Sequence, residues 1–260
     1  MALTDKLTAI GDAIRAKTKT TELIPLAEMS AKVDDVYEAG KKAEYDRFWD
    51  SYQINGTRTS YETAFAGYNG WDKYNFYPKY DIRPVGSSAR IFYAWEKTGR
   101  HDRLDLTQRL EECGVVLDTS QATSLYGAFG YSHFLRIPAI DLTGITATDG
   151  AHLLFAHSWD YLHTIDKIIV NENTKFGSTF YNCTALVNLI FEGTLAQNGL
   201  YVNTCINLSH DSLMSILNSL KDYSNDTSGT SWVVTLGTEN LAKLTDAEKA
   251  IATQKGWSLA

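Results

Sequence analysis

A short motif recurs between Phe129 and Leu208, and it constrains the fold more than any other part of the sequence. In each copy a large residue is followed three positions later by a small residue and then by a leucine. The small residues are separated by 26, 25 and 22 positions; they are Ser132, Ser158, Cys183 and Cys205. A period in the twenties is typical of a solenoid, in which each repeat forms one coil and neighbouring coils share a core.

The residue types in the motif predict how such a coil packs. An aromatic ring fills its wide side, a serine or cysteine fits a tight backbone turn, and the leucine begins an extended run that stacks about 4.7–4.9 Å from the previous one. The predicted runs are 135–140, 162–170 and 186–191. The predicted core residues are Phe129, Leu135, Phe155, Leu162, Phe180, Cys183, Leu186, Cys205 and Leu208. The alternative is an irregular α+β core in which the similarity is coincidental.

The pattern Phe-x-x-Cys-x-x-Leu-x-x-Leu/Ile, as it stands from Phe180 to Leu189, resembles the BspA-like class of leucine-rich repeats. The resemblance covers residues 125–208 well and is degenerate before them. One copy has an extra residue before Leu162, and serine replaces cysteine in two copies, so uneven coils are expected. The resemblance implies a recognition scaffold without catalytic residues. The expected fold class is therefore α+β: an irregular leucine-rich-repeat solenoid over 54–208, with N-terminal helices and a C-terminal α/β cap.

The N-terminal segment, residues 1–53, is predicted to be helical. An amphipathic helix is expected over 4–17, and a longer one begins near Pro25. The second helix has heptad-like spacing, which suits a short coiled coil or an antiparallel hairpin; the alternative is a helix that caps the solenoid.

Residues 1–45 also resemble a leader found at the start of many bacteriophage and prophage tail-associated proteins. The matching stretches are 3–17, 24–29 and 33–40. The resemblance implies attachment to other tail proteins, or oligomerisation, through the N-terminal helices. A homo-oligomer is expected, and a trimer would suit a tail fibre.

An aromatic-rich segment connects the N-terminal helices to the regular repeats. Between Tyr45 and Trp95 the chain carries 15 of its 31 aromatic residues, and residues 54–104 are interpreted as eroded coils. The rings either fill the core of those coils or form a saccharide platform, on which aromatic faces stack against sugar C–H groups. The candidate binding residues are Tyr68, Trp71, Tyr74, Tyr77 and Tyr80. The other candidate is the strand face around Arg136, Asp166 and Asn188.

Capping signals predict the remaining helices. Asp105 and Gln108 form a candidate capping box, so a short helix is expected over 106–113, ending at Gly114. Residues 209–260 are predicted to form a helix–strand–helix cap. Its first helix runs from Ser209 to about Lys221, a strand covers 232–236, and a capping box at Thr245 opens the last helix, which ends at Gly256.

Composition excludes several classes of function. A net charge of −7 argues against binding to nucleic acid or to an anionic membrane. The sequence begins without a signal-peptide pattern and contains no stretch of membrane-spanning length, so synthesis in the host cytoplasm is expected. Three cysteines do not make a disulfide framework. Cys183 and Cys205 stand at equivalent positions of neighbouring copies, so they could lie close enough to form a disulfide. Two buried free thiols are the favoured alternative.

Catalytic signatures are weak throughout the sequence. His152 and His157 lack the spacing of metal ligands, and Asp105, Glu111, Glu112 and Asp118 show no spacing typical of a glycosidase pair. No metal or cofactor is expected. The sequence therefore favours a non-enzymatic virion protein of a phage or prophage tail that recognises a host-surface glycan or protein. The alternatives are a bacterial surface adhesin and, less favoured, a polysaccharide-degrading tail enzyme.

Overall fold

The protein's structure, a computed structural model, describes residues 76–78, 80–94 and 103–260. All of them belong to one compact unit, Gly56–Ala260. The predicted N-terminal segment 1–53 lies outside the described residues, as do the predicted site residues Tyr68, Trp71 and Tyr74.

Parallel strands form the centre of the described fold. Its first seven strands are β1 (Gly86–Ser87), β2 (Leu104–Asp105), β3 (Ala122–Ser124), β4 (Phe134–Ile137), β5 (Ile140–Asp141), β6 (Thr164–Val170) and β7 (Asn188–Gly193). The five-stranded sheet has the order β2-β4-β6-β5, with β7 also paired to β6, and β1 pairs separately with β3.

Strands β4 and β5 are two pieces of one extended run. Arg136 of β4 pairs with Thr164, and Ile140 of β5 pairs with Ile168 further along β6. Pro138 stands between the two pieces. Proline has no backbone N–H to donate, so it interrupts the strand. The predicted run 135–140 is therefore extended but broken.

The predicted leucine-rich-repeat solenoid is wrong as a fold class. The described residues form a curled parallel sheet, a half-barrel of the α/β type with few helices, and no solenoid repeat is evident among them. Strand lengths vary from two to seven residues, and the pairing register shifts at Leu104/Asp105 and again between Ile165 and Ile168. The motif indicates which segments become neighbours. Because the paired strands differ in length and each is twisted relative to its neighbour, the sheet that they form curls.

A file of phenylalanine rings runs through the core beside this sheet. Consecutive rings of the file lie 5.2, 5.6 and 5.7 Å apart between centroids, nearly parallel, and all are essentially inaccessible to solvent; they are Phe92, Phe129, Phe155 and Phe180. The serines of the motif serve the turns that follow. Ser132 Oγ donates to the carbonyl of Phe129 at 2.6 Å, and Ser158 Oγ donates to that of Phe155 at 2.8 Å. A small hydroxyl residue thereby satisfies a buried carbonyl at each turn.

The motif leucines are not equally buried. Leu162, Leu186 and Leu208 are at most 1% exposed. Leu135 was predicted to be a core residue but is only half-buried, because Phe134 takes the inward position at the start of β4. Side chains of successive strand residues point to opposite faces, so a residue that follows an inward-facing one is directed away from the core.

Four helices are present in the described residues: α1 (Leu106–Cys113), α2 (His210–Ser219), α3 (Thr238–Leu241) and α4 (Asp246–Gln254). The predicted helix 106–113 is confirmed, with Gly114 in the left-handed conformation at its end. Asp105 caps it by accepting from the backbone N–H of Gln108 at 2.8 Å. The predicted box is incomplete, because the Gln108 side chain donates to Glu112 instead.

The C-terminal region contains more structure than its capping signals predict. Ser209 caps α2, and Thr245 with Glu248 forms a complete capping box on α4, as predicted. The predicted strand appears as β8 (Trp232–Val234). Helix α3 and strand β9 (Trp257–Leu259) were not predicted, and β9 pairs with β8 in parallel.

The two motif cysteines are buried free thiols. Cys183 Sγ donates to the carbonyl of Phe155 at 3.1 Å, and Cys205 Sγ lies 3.5 Å from that of Phe180. Burial raises the pKa of the Cys183 thiol well above its ordinary value, since a thiolate would be desolvated there. These cysteines act as small residues of the core.

Candidate functional site: an exposed aromatic ridge

Beside the buried phenylalanine file, a second row of rings lies partly in solvent. We call it the aromatic ridge; its members are Tyr93, Tyr131, His157, Trp159 and Tyr181. Each phenylalanine of the file is followed by a ridge ring one or two positions later, and Trp159 follows two positions after His157. Each of these four segments therefore contributes one buried ring and at least one surface ring.

Backbone conformation repeats along the ridge. The second residue after each phenylalanine of the file is left-handed, with φ of 53°, 58°, 61° and 59°; these residues are Ala94, Tyr131, His157 and Asn182. Non-glycine residues rarely adopt this conformation, which costs about 1–2 kcal/mol per residue. The same tight turn therefore follows each buried ring.

The ridge rings contact one another in sequence. Ring centroids lie 5.3 Å apart for Tyr93 and Tyr131, 4.5 Å for Tyr131 and His157, and 5.2 Å for His157 and Tyr181. Trp159 lies 5.7 Å from Tyr131 and 5.5 Å from His157. The tryptophan is 40% exposed and Tyr181 47% exposed. The ridge thus presents ring faces and edges to solvent across four consecutive segments.

Backbone hydrogen bonds between neighbouring segments hold the ridge in place. The backbone N–H groups of Tyr131, His157 and Trp159 each donate to a carbonyl of the following copy, at 2.7–2.9 Å. The side chain of Asn182 adds a hydrogen bond to Nδ1 of His157 at 3.3 Å. Binding therefore does not require the ridge backbone to become ordered, which lowers the entropic cost of association.

Polar groups border the ridge. Asp160 follows Trp159, is exposed, and accepts a hydrogen bond from Thr184 Oγ1 at 3.2 Å. At the other end the Arg90 guanidinium lies 5.3 Å from the ring centroid of Tyr93. Apolar ring faces with a carboxylate, an amide and a guanidinium beside them can bind a ligand that has both C–H faces and hydroxyl groups.

The two described members of the predicted aromatic set lie elsewhere. Tyr77 is 49% exposed, and the Arg109 guanidinium of α1 stacks 4.1 Å from its ring centroid. Arg109 also donates to the carbonyl of Phe76 at 2.7 Å. Tyr80 is half-buried. Neither tyrosine makes a ring contact with the ridge within the described structure.

The alternative site, the strand face, is occupied by its own interactions. Arg136 and Asp166 form an ion pair at 2.6 Å, and Thr107 of α1 donates to the same carboxylate at 2.8 Å. Asn188 donates to Thr164 at 3.3 Å. A ligand would have to replace these bonds, so this face is the weaker candidate.

Most of the acidic and histidine residues considered for chemistry have structural contacts. Asp118 accepts from Ser120, and His152 Nδ1 accepts from the backbone N–H of Ser178 at 3.3 Å. Within the described ranges, no group of three or more His, Cys, Asp or Glu side chains is placed to hold a metal ion. In the same ranges, no helix has both the length and the apolar character needed to cross a bilayer.

Sequence reasoning missed the ridge although a signal for it was present. The residues that define the motif are the phenylalanine and the serine or cysteine three positions after it. The residues between them vary in type but include a ring in each of the three clearest copies: Tyr131, His157 and Tyr181. Variable residues that include a ring in each of these copies indicate a surface role, whereas the buried ring remains phenylalanine.

No protein family, curated protein or solved structure matches this chain.

Proposed function

We propose that this chain is a non-enzymatic binding protein of a phage or prophage tail, and that its aromatic ridge contacts a glycan of the host surface. The observation that carries the proposal is the ridge itself: five partly exposed rings, joined by contacts between neighbours, on an ordered backbone.

Exposed rings support a recognition role on energetic grounds. Single exposed apolar residues are ordinary, whereas extended apolar patches mark surfaces that bind other molecules, and the ridge joins five partly exposed rings in one row. Tyrosine and tryptophan provide large contact area with few rotatable bonds, and their faces stack on the C–H side of sugar rings. Saccharides present that combination of C–H faces and hydroxyls.

The assignment to a tail rests on the N-terminal resemblance. The leader-like stretch 1–45 implies attachment to other tail proteins or assembly into a homo-oligomer. Several copies on one particle raise the avidity of weak individual sites by an effective-concentration effect. A modest ridge would then suffice for firm attachment to a cell.

Binding to host cells tests the ridge. Fluorescently labelled protein is expected to bind intact cells, and Trp159→Ala and Tyr181→Ala are each expected to weaken binding about tenfold, as loss of a well-placed aromatic contact does. Tyr201→Ala is the matched control, because this tyrosine is 50% exposed but outside the ridge. Unchanged binding by both ridge variants, with their circular dichroism unaltered, would remove the ridge from the proposal.

Treatment of the cells identifies the ligand class. Periodate, which cleaves sugar diols, is expected to abolish binding, whereas protease treatment is expected to leave it. The reverse pattern would make the partner a surface protein. Detection of the chain in purified particles by immunoblot tests the tail assignment separately, and its absence from infectious particles would contradict that assignment.

A further inference from the structure

We infer that a second binding site, for a saccharide unit carrying an acidic group, lies in a cleft at the carboxyl ends of strands β5, β6 and β7. We call it the polar cleft. Its volume is about 510 Å³, within the range of roughly 300–1,000 Å³ common for small-molecule sites. The lining residues used below are Thr143, Ile145, Thr146, Asn171, Lys175 and Gln197.

The topology creates this cleft. Thr143 follows β5, Asn171 follows β6 directly, and Gln197 comes soon after β7. Because the three strands are parallel, the segments that leave their carboxyl ends meet at one edge of the sheet. Crevices at the carboxyl ends of parallel strands are common ligand sites in α/β folds.

Hydrogen bonds hold the polar side chains of the cleft in fixed positions. The Asn171 Nδ2 group donates to the carbonyl of Thr143 at 3.1 Å, and Gln197 Nε2 donates to that of Glu172 at 2.7 Å. These bonds use amide donors and leave Gln197 Oε1 without a partner among the described residues. A fixed acceptor beside threonine hydroxyls suits a ligand with several hydroxyl groups.

The wall from 145 to 147 is also fixed. The backbone N–H groups of Thr146 and Ala147 both donate to the carbonyl of Thr123 at 3.1 Å. The side chain of Ile145 in this wall supplies an apolar surface against which the C–H face of a sugar ring can pack.

Charge determines the class of ligand. Among the described residues that line the cleft, Lys175 is the only one with a charged side chain, and it makes no ion pair or hydrogen bond with another described residue. The nearest acidic residue in sequence, Glu172, is paired with Lys221 at 2.6 Å. The ammonium of Lys175 is therefore left for a carboxylate of the ligand.

The cleft is separate from the ridge. The ridge lies where each chain segment approaches the amino end of its strand, whereas the cleft follows the carboxyl ends. The seven residues of β6 alone span about 23 Å at roughly 3.3 Å per residue. Loss of one site should therefore leave the other intact, and this inference does not depend on the proposed function of the ridge.

Calorimetric titration with two trisaccharides of the same linkage tests the inference, one neutral and one with a uronic acid residue. The acidic ligand is expected to bind at least tenfold more tightly than the neutral one. Lys175→Gln should remove that preference, and Gln197→Ala should weaken binding of both ligands. Lys167→Gln is the matched control, because Lys167 is exposed and paired with Glu192 but lies outside the cleft.

The outcomes separate the two proposals. If Trp159→Ala still binds the acidic ligand more tightly than the neutral one, and Lys175→Gln loses that preference, the cleft is supported whatever the cell-binding result. No binding at millimolar ligand, equal affinity for the two trisaccharides, or an unchanged preference in Lys175→Gln would overturn the inference. Isotope-labelled protein gives a second readout, since the amide signals of Asn171 and Gln197 should shift on titration and those of Tyr181 should not.

Discussion

Replacing Phe155 tests the physical basis of the fold most directly. Its ring is fully buried between the rings of Phe129 and Phe180. The ring centroid of Phe155 lies 5.6 Å from that of Phe129, with 21° between the ring planes, and 5.7 Å from that of Phe180, with 18° between the planes. Phe155→Ala removes both ring contacts and leaves a cavity in the middle of the file. A Phe→Ala change in a core costs about 3–5 kcal/mol. Since domains of this kind have total stabilities of about 5–15 kcal/mol, the variant should be close to unfolding.

Equilibrium unfolding in urea, followed by tryptophan fluorescence, measures the loss. The midpoint should fall while the slope with denaturant stays constant, because the surface exposed on unfolding hardly changes. Phe155→Leu keeps most of the volume and should cost about 1–1.5 kcal/mol, which provides a measurable variant if the alanine variant does not fold. Tyr201→Ala, at an exposed site, should change stability by about 0.5 kcal/mol or less. A loss below about 1 kcal/mol in Phe155→Ala would refute the idea that a shared ring file stabilises the core.

Two further predictions concern the backbone and acid stability. Gly127→Ala should lower the free energy of unfolding by about 1 kcal/mol in the same urea assay, because Gly127 has a left-handed φ of 58°. An added Cβ would meet only ordinary contacts at 3.7 and 3.9 Å, so the variant tests backbone strain alone. An unchanged free energy of unfolding would contradict this prediction. Hydrogen bonds from the backbone N–H and hydroxyl of Thr245, and then from His210, lower the pKa of Glu248. Because the pKa of Glu248 is lower in the folded protein than in the unfolded chain, where it is near 4.3, the ionised carboxylate stabilises the fold at pH values above that unfolded-state pKa. This contribution disappears as the pH falls through the folded-state pKa. Glu248→Gln should therefore be less stable than the wild type at pH 6, and the difference should shrink towards pH 3. A difference for Glu248→Gln that stays constant with pH would contradict the mechanism.

Local features of the described region could be read from the sequence because short-range physics determines them. The helix over 106–113 and the Thr245 capping box depend on side chains that reach backbone groups three residues away. The extended runs predicted to begin at the motif leucines appeared within two residues of their expected positions.

The candidate sites were harder to predict. The ridge depends on which residue beside each phenylalanine is directed outward, and this follows from left-handed turns at non-glycine positions such as Tyr131 and His157. The polar cleft joins residues from three strand ends, more than 50 positions apart in the chain between Thr143 and Gln197. Nothing in the local pattern around either residue indicates the other.

By itself the sequence determined the repeated aromatic–small–leucine order, and with it which rings are large enough to share a core and which turns need a small side chain. The tertiary structure alone decided that the segments form a curled parallel sheet and not the predicted irregular leucine-rich-repeat solenoid. The reason is that sheet curvature depends on the accumulated twist and register of all the strands, including two-residue strands such as β2 and β5 that carry almost no local signal.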